Sequence, residues 1–417
     1  MSSNNVSSFA EFIAHLLEFI DVSKGDGSSA FVERFRDLSL ELFGLQFAHN
    51  AAYRKFCEAR GATPGTVEDW KRIPAIPTSG FKDLELTSLA KGDRTAVFCS
   101  SGTTEQRPSR NFHNAQSLAV YEASLLPWFA RHALADRISA GGGFEELEKI
   151  RVVSLTPAAN EAPHSSLVHM FETIRREHGV PDSVFLGNVQ GIKKAESELP
   201  DKLGDSNAER IGTLRYTRQP REAGAHGWTI DLGMARGILE EASARKEPVM
   251  LLGTAFSFVH LLDYLAEHEV KFHLSQGSRV LETGGYKGRS REMPKGELHS
   301  MFTRRLGIPT SHILCEYGMS ELSSQAYDRR VGLAFGARTT RPTFRFPPWA
   351  RVQIVSPETG REVAEGETGL LRTFDLANVF SVLAIQTEDL AVKRTNGFEL
   401  LGRAVLAEPR GCSLTAL

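Results

Sequence analysis

CEYGMSEL, residues 315–322, ends an apolar run that opens at Ile313 and brings an aromatic ring, a glycine, a hydroxyl and a carboxylate together within five residues. At the end of a buried strand those groups suit a nucleotide. Tyr317 can stack on a base, Ser320 can contact a phosphate, and Glu321 can hold Mg²⁺, which prefers carboxylate and phosphate oxygens. The same residues also describe an ordinary solvated strand end, so the reading depends on what lies to either side.

Upstream, "RVLETGG" from Arg279 runs into "ETGGYKGR" at 282–289, where the pair Gly284 and Gly285 permits close approach of a flat ligand. Further upstream, "AVFCS" at 96–100 leads into "SSGTTEQRPSR" at 100–110. Ser100, Ser101, Gly102, Thr103 and Thr104 set four hydroxyls around a glycine, which lets N–H and O–H groups converge on phosphate oxygens. The Walker A spacing does not fit there. Downstream, in "QTEDLAVKRTNGFELLGR" at 386–403, Asp389 is read as ending a strand and Arg403 as following a hairpin, the Asp suiting two ribose hydroxyls.

The rest of the chain frames these stretches. At 417 residues with 41% apolar and 24% charged content, it can bury a large α/β body with appendages. The formal net charge of -2 with no Lys/Arg stripe argues against nucleic acid as partner. Cys57, Cys99, Cys315 and Cys412 lack C-x-x-C spacing, which speaks against a disulfide framework or a zinc cluster and for a cytoplasmic setting. Cys99 and Cys315 read as small core fillers at strand ends. No basic leader opens the chain, and no membrane span is expected, since "VMLLGTAFSFVHLLDYLA" from Val249 reads as a buried strand turning into a helix.

Ser8 and Glu11 form a capping-box pattern ahead of an amphipathic helix. Short apolar runs at 96, 152, 249, 279 and 312 alternate with helical patterns, as in a mainly parallel sheet with ligands at the strand ends. After Arg351 the texture turns to β. The expected organisation is a helical region at 1–75, an α/β body at 76–372, and a β-hairpin remnant with a cysteine tail at 373–417. His164, His169 and His260 read as packed or capping residues, and Phe256, Phe258, Leu261 and Leu262 as core or acyl-chain wall.

In this order and spacing, the four stretches resemble the adenylate-forming superfamily of acyl-CoA ligases, luciferases and peptide-synthetase adenylation domains, over roughly residues 95–403. The resemblance implies a multilayer α/β large domain with a β-rich C-terminal part and ATP with Mg²⁺ as cofactors. It implies that Ser100 to Thr104 hold the ATP phosphates, that Gly284, Gly285 and Tyr317 border the adenine, that Ser320 and Glu321 serve phosphate and Mg²⁺, and that Asp389 and Arg403 serve the ribose. The phosphate loop departs from the superfamily pattern: Glu105 replaces a glycine and Ser109 stands at the lysine position, so Arg107, Arg110 or Lys287 is expected to supply the charge. Only fourteen residues follow Arg403, where most members have a lid domain with a catalytic lysine.

One branch looks like this chain: the acyl-protein synthetases of the LuxE type, through "SSGTT", "PHSSL", "ETGGYKGR", "EYGMSEL" and the tail "RGCSL". That likeness implies activation of a carboxylic acid, of the fatty class, as acyl-AMP, with Glu321 and Lys287 in the catalytic set. The acyl group then passes to Cys412 and on to a partner reductase or carrier. A thiolate is a good acyl acceptor, and a short arm makes its attack intramolecular. The alternatives are a stand-alone acyl- or aryl-CoA ligase similar to phenylacetate-CoA ligases, and a nucleotide-binding protein without turnover.

Overall fold

The structure is a computed structural model that describes residues 8–23, 29–100, 107–137, 147–189, 228–284, 293–332 and 342–404. Ser8 caps the first helix, α1 (Phe9–Val22): its hydroxyl accepts from Glu11 N and the Glu11 carboxylate accepts from Ser8 N, the reciprocal box its sequence encodes. α2 (Ser29–His49) and α3 (Ala51–Glu58) follow and bury Phe35, Leu38, Leu42, Phe43 and Tyr53 with the apolar face of α1. Each such side chain contributes about 1.5–3 kcal/mol on leaving water.

β1 (Ile76–Pro77) and α4 (Gly80–Asp83) lead to β2 (Ala96–Cys99), β3 (Arg110–His113) and α5 (Ala115–Ala133). Next come β4 (Arg151–Ser154), α6 (Ser166–His178), β5 (Val184–Phe185), β6 (Gly187–Val189), β7 (Trp228–Ile230) and α7 (Leu232–Arg245). β8 (Val249–Thr254) turns directly into α8 (Ala255–Glu267), with Thr254 accepting from Ser257 N as cap. β9 (Arg279–Thr283), α9 (Lys295–Leu306), β10 (Ile313–Tyr317) and β11 (Ala326–Tyr327) complete the first half. β12 (Ala350–Val355), β13 (Thr368–Asp375), β14 (Ala384–Arg394) and β15 (Gly397–Arg403) form the β-rich end.

The central sheet has the order β11-β10-β9-β8-β4-β5, parallel throughout except for β11. Its strands are buried on both faces, which explains their continuous apolar runs. α7, α8 and α9 cover one face through Leu239, Phe258, Leu262 and Phe302, while α5 and α6 cover the other through Leu125, Phe129 and Phe171. Phe258, Leu261 and Leu262 are core, with Phe256 half-buried beside the His260 ring.

A second sheet, β1-β14-β13-β12 with β15 on β14, packs against the end of β10. It is antiparallel apart from the β1–β14 pair, and residues on either side of position 373 are hydrogen-bonded into it together. Two expectations need correction here. β2 belongs to a separate antiparallel hairpin with β3, not to the parallel sheet. Asp389 lies inside the eleven-residue β14 and is paired in register with Arg403, so it does not end a strand.

The N-terminal helices bear on the site through two buried amides, of which Asn50, the cap of α3, donates to the Ser381 carbonyl at 3.4 Å. Gln46 on α2 donates to the carbonyls of Asn378 (2.8 Å) and Val379 (3.1 Å) and accepts from Leu383 N (2.9 Å). The loop between β13 and β14 has its backbone groups satisfied by a helix from the far end of the chain. Among the described residues no helix is long and apolar enough to cross a membrane.

Candidate active site

Parallel strands deliver their C-terminal ends to one edge, and β9 and β10 end side by side with Thr283 in register with Glu316. Gly284 follows with φ of +65°, a left-handed backbone that favours glycine. After Tyr317 the chain turns through Gly318, where a Cβ would lie 2.4 Å from a Glu316 carboxylate oxygen, so only glycine fits without displacement.

Tyr317 is buried among Phe344, Phe346 and Phe398 and donates its hydroxyl to Asp389 Oδ2 at 2.7 Å. Burial pushes the Tyr317 hydroxyl well up, and the neighbouring Asp389 charge adds to that, so it remains a donor. Burial also raises the Asp389 carboxyl, against the pull of the Tyr317 hydrogen bond and of Arg403. Arg403 stands 3.9 Å from Asp389 with its side chain 79% exposed, leaving most of its guanidinium open to a ligand.

Ser320 donates to Glu321 Oε2 at 3.0 Å, and both residues are buried. Among the described residues no cation pairs with the Glu321 carboxylate. A hydroxyl and a free carboxylate side by side are the hard oxygen donors that Mg²⁺ takes together with phosphate, so the residues fit that ion. Three side chains that the sequence did not single out hold this turn. Asn111 on β3 donates to the Ser320 carbonyl at 3.0 Å, and Asn378 donates to the Glu321 carbonyl at 3.0 Å. Asp375 at the end of β13 accepts from Ser323 N (3.0 Å), Ser324 N (2.8 Å), Ser324 Oγ (2.7 Å) and Ala377 N (3.0 Å).

The β2–β3 hairpin thereby reaches the same edge. Ser100 and Ser109 clip its base reciprocally, Ser100 N to the Ser109 carbonyl (3.2 Å) and Ser109 N to Ser100 Oγ (3.0 Å). Beyond that clip, Ser101, Gly102, Thr103 and Thr104 lie outside the described residues, as do Gly285, Lys287 and Cys412. Ser109 Oγ and Arg110 Nε are buried with no partner among the described residues, a donor and a hydroxyl available at the base of the serine-rich turn. His164 and His169 take packing roles: His164 accepts a backbone bond from Cys99 N at 2.9 Å, and the His169 ring packs on Phe98 and Tyr121.

Cys315 corrects a further expectation. It is buried in the core beside Ala326 and Phe344 as expected, 1% exposed, but in the middle of β10 rather than at its end, with Glu282 and His299 against its sulfur.

Glu316, fully buried behind Gly318, accepts from the Thr283 hydroxyl. Burial pushes its carboxyl up from 4.5 to about 7, with the Thr283 bond pulling the other way. A carboxyl with a raised folded value binds more protons in the native state, so its contribution is fully favourable below about pH 4.5 and is lost as pH rises through about 7. Glu316→Gln is expected to gain stability over the parent at pH 8 by up to about 3 kcal/mol. The gain should shrink towards zero at pH 5. Denaturant midpoints of both proteins at the two pH values check this, and a pH-independent gap would refute it.

Residues 232–416 match the family model described as acyl-protein synthetase, LuxE. A long-chain-fatty-acid–luciferin-component ligase from Aliivibrio fischeri is 20% identical over 359 residues, spanning 84% of this chain and 77% of that protein. Among solved structures, an open conformation of 2-hydroxyisobutyryl-CoA ligase with 2-HIB-AMP and CoA superposes with a TM-score of 0.55 at 10% identity, over 89% of this chain and 70% of that one. The same ligase in its thioesterification state gives 0.55 at 11% identity, over 91% and 69%. The architecture is that of the adenylate-forming ligases. The LuxE match covers the part of the chain that carries β8 to β15, so over residues 232–416 the chain is similar to the LuxE-type acyl-protein synthetases, on that fold.

Proposed function

We propose that this protein activates a carboxylic acid of the fatty class with ATP and Mg²⁺ and passes the acyl group to Cys412, from which a partner protein takes it. The observation that carries the reading is the convergence of Tyr317–Asp389, Ser320–Glu321 and the Ser100–Ser109 clip on one sheet edge. Adenine and ribose at Tyr317, Gly284, Asp389 and Arg403 leave the phosphates directed at Ser320, Glu321 and the serine-rich turn. Bound at Glu321, Mg²⁺ would supply neutralisation of phosphate charge.

The carboxylate is already ionised at neutral pH and needs no general base. Its oxygen attacks the α-phosphorus, an oxygen–phosphorus bond forms, and the bond to pyrophosphate breaks. This chain contributes position and charge complementarity rather than a covalent group. In the second half-reaction the Cys412 thiolate adds to the acyl carbonyl, the carbon–oxygen bond to AMP breaks, and a thioester remains on the protein.

Carboxylate-dependent exchange of labelled pyrophosphate into ATP tests the first half-reaction. Exchange is expected with saturated fatty acids across a panel of chain lengths, and to be lost without acid or without Mg²⁺. No exchange with any carboxylic acid, under conditions where the protein is folded and binds ATP, would overturn it.

A further inference from the structure

Behind the site, three buried side chains from three elements meet at one point. Glu282 on β9 and Cys315 on β10 are in register on parallel strands, so both present the same face, and α9 lays His299 across them. Their exposures are 5%, 1% and 8%. His299 Nε2 lies 2.8 Å from Glu282 Oε2, and Cys315 Sγ lies 3.7 Å from both of those atoms.

A Cys–His–acid catalytic arrangement places the acid on one ring nitrogen and the thiol on the other. Here acid and sulfur address the same nitrogen. One sulfur, one nitrogen and one oxygen therefore converge on one point. Tetrahedral Zn²⁺, with a bond of about 2.3 Å to sulfur and about 2.0–2.1 Å to nitrogen and oxygen, needs ligand atoms roughly 3.3–3.6 Å apart. Two of the three separations are close to that spacing already. The third, between His299 Nε2 and Glu282 Oε2, must open by about half an ångström as the ion enters.

We infer that Glu282, His299 and Cys315 form a binding site for a borderline-soft divalent cation, Zn²⁺ above all, separate from the Mg²⁺ position at Glu321. The donor set decides the class: thiolate and imidazole select Zn²⁺ over Mg²⁺. Binding releases the Cys315 thiol proton to solvent, His299 ligates through Nε2 as the neutral imidazole with its proton on Nδ1, and thiolate plus carboxylate balance the two positive charges. Asp328 is engaged elsewhere, accepting from Cys315 N and pairing with Arg329. Lys295, one helical turn before His299, is the competing cation: the negative charge at Cys315, Glu282 and Asp328 outweighs burial and holds its ammonium above the usual lysine range. Its ammonium is drawn in against Cys315 and lies 5.2 Å from the Phe344 ring centroid, so the entering ion has to displace it towards solvent. The ion would tie α9 to the two strands that end at Gly284 and Tyr317.

The test uses the full chain, stripped with chelator and titrated with Co²⁺ and then Zn²⁺. One equivalent of Co²⁺ is expected to raise a thiolate-to-cobalt charge-transfer band, which one equivalent of Zn²⁺ removes. Cys315→Ser should abolish the band, His299→Gln should weaken affinity at least tenfold, and Cys412→Ser should leave both unchanged. X-ray absorption on the zinc-loaded parent guards against misfolded variants: a shell with one sulfur at about 2.3 Å is expected. A shell of nitrogen and oxygen only, a band that survives Cys315→Ser, or binding that appears only in Lys295→Met would overturn the proposal.

Discussion

Cys412→Ala is expected to abolish hydroxylamine-sensitive acyl label on the protein while carboxylate-dependent pyrophosphate exchange stays within about twofold of the parent, because in the proposed reaction exchange stops at the adenylate and the thiol acts only afterwards. The three described cysteines are poor acceptors. Burial pushes the Cys57 thiol up to about 11, raises Cys99, and lifts Cys315 well above the ordinary thiol range, so little thiolate is available at any of them near neutral pH. The end of the described chain is favourably placed for Cys412. Ala404 N donates to the Glu388 carbonyl at 2.8 Å, next to Asp389, so the arm leaves from the edge assigned to the ribose. Cys412 lies eight residues beyond Ala404, a contour of about 27 Å at roughly 3.4 Å per residue, enough to return a thiol to the adenylate. On such a tether the thiol acts at an effective millimolar concentration. Labelled fatty acid, ATP and denaturing gels read the result. Label that persists in Cys412→Ala would move the acceptor to another residue and defeat the transfer step.

What the sequence made legible follows from how local each feature is. The box at Ser8 and Glu11, the strand-to-helix switch at Thr254 and the Tyr317–Glu321 turn are each written in fewer than a dozen consecutive residues, and each forms as its pattern dictates. The β2–β3 hairpin was hidden because its second strand, Arg110–His113, is polar and pairs across a turn that reads as a ligand loop. Asp389 was misread as a strand end because charged residues usually close strands. Here β14 continues past it, the carboxylate satisfied by the Tyr317 hydroxyl from the other sheet. Long-range partners leave no local trace: Asn111 is 209 residues from Ser320, and Asp375 is 51 from Ser324. The same holds for Cys315, whose polar neighbours come from β9 and α9.

Asp375→Ala is expected to reduce exchange at least 100-fold per folded molecule and to lower stability by about 3–5 kcal/mol. Asp375 touches neither of the groups assigned to the nucleotide; it is a positioning residue. Its two oxygens satisfy three backbone N–H groups and one hydroxyl in a fully buried turn, and each donor left unpaired there costs about 1–3 kcal/mol before relaxation. Burial pushes its carboxyl above the ordinary range while those donors pull it back, which marks a group held for its hydrogen bonds rather than for titration. Removing it frees Ser323 and Ser324, two and three residues after Glu321, and a displacement of about 1 Å at a positioned group is worth about two decades in rate. Asp375→Asn keeps the volume and one acceptor oxygen but turns an amide N–H₂ towards donors, so it should fall between the alanine variant and the parent on both measures. A purely structural role would lower stability while leaving the rate per folded molecule and the Mg²⁺ dependence intact. Exchange measured against Mg²⁺ concentration at a temperature where both variants remain folded separates the two: positioning requires a fall in maximal rate and a rightward shift in Mg²⁺ demand, because the turn that loses its anchor is the one that presents Glu321.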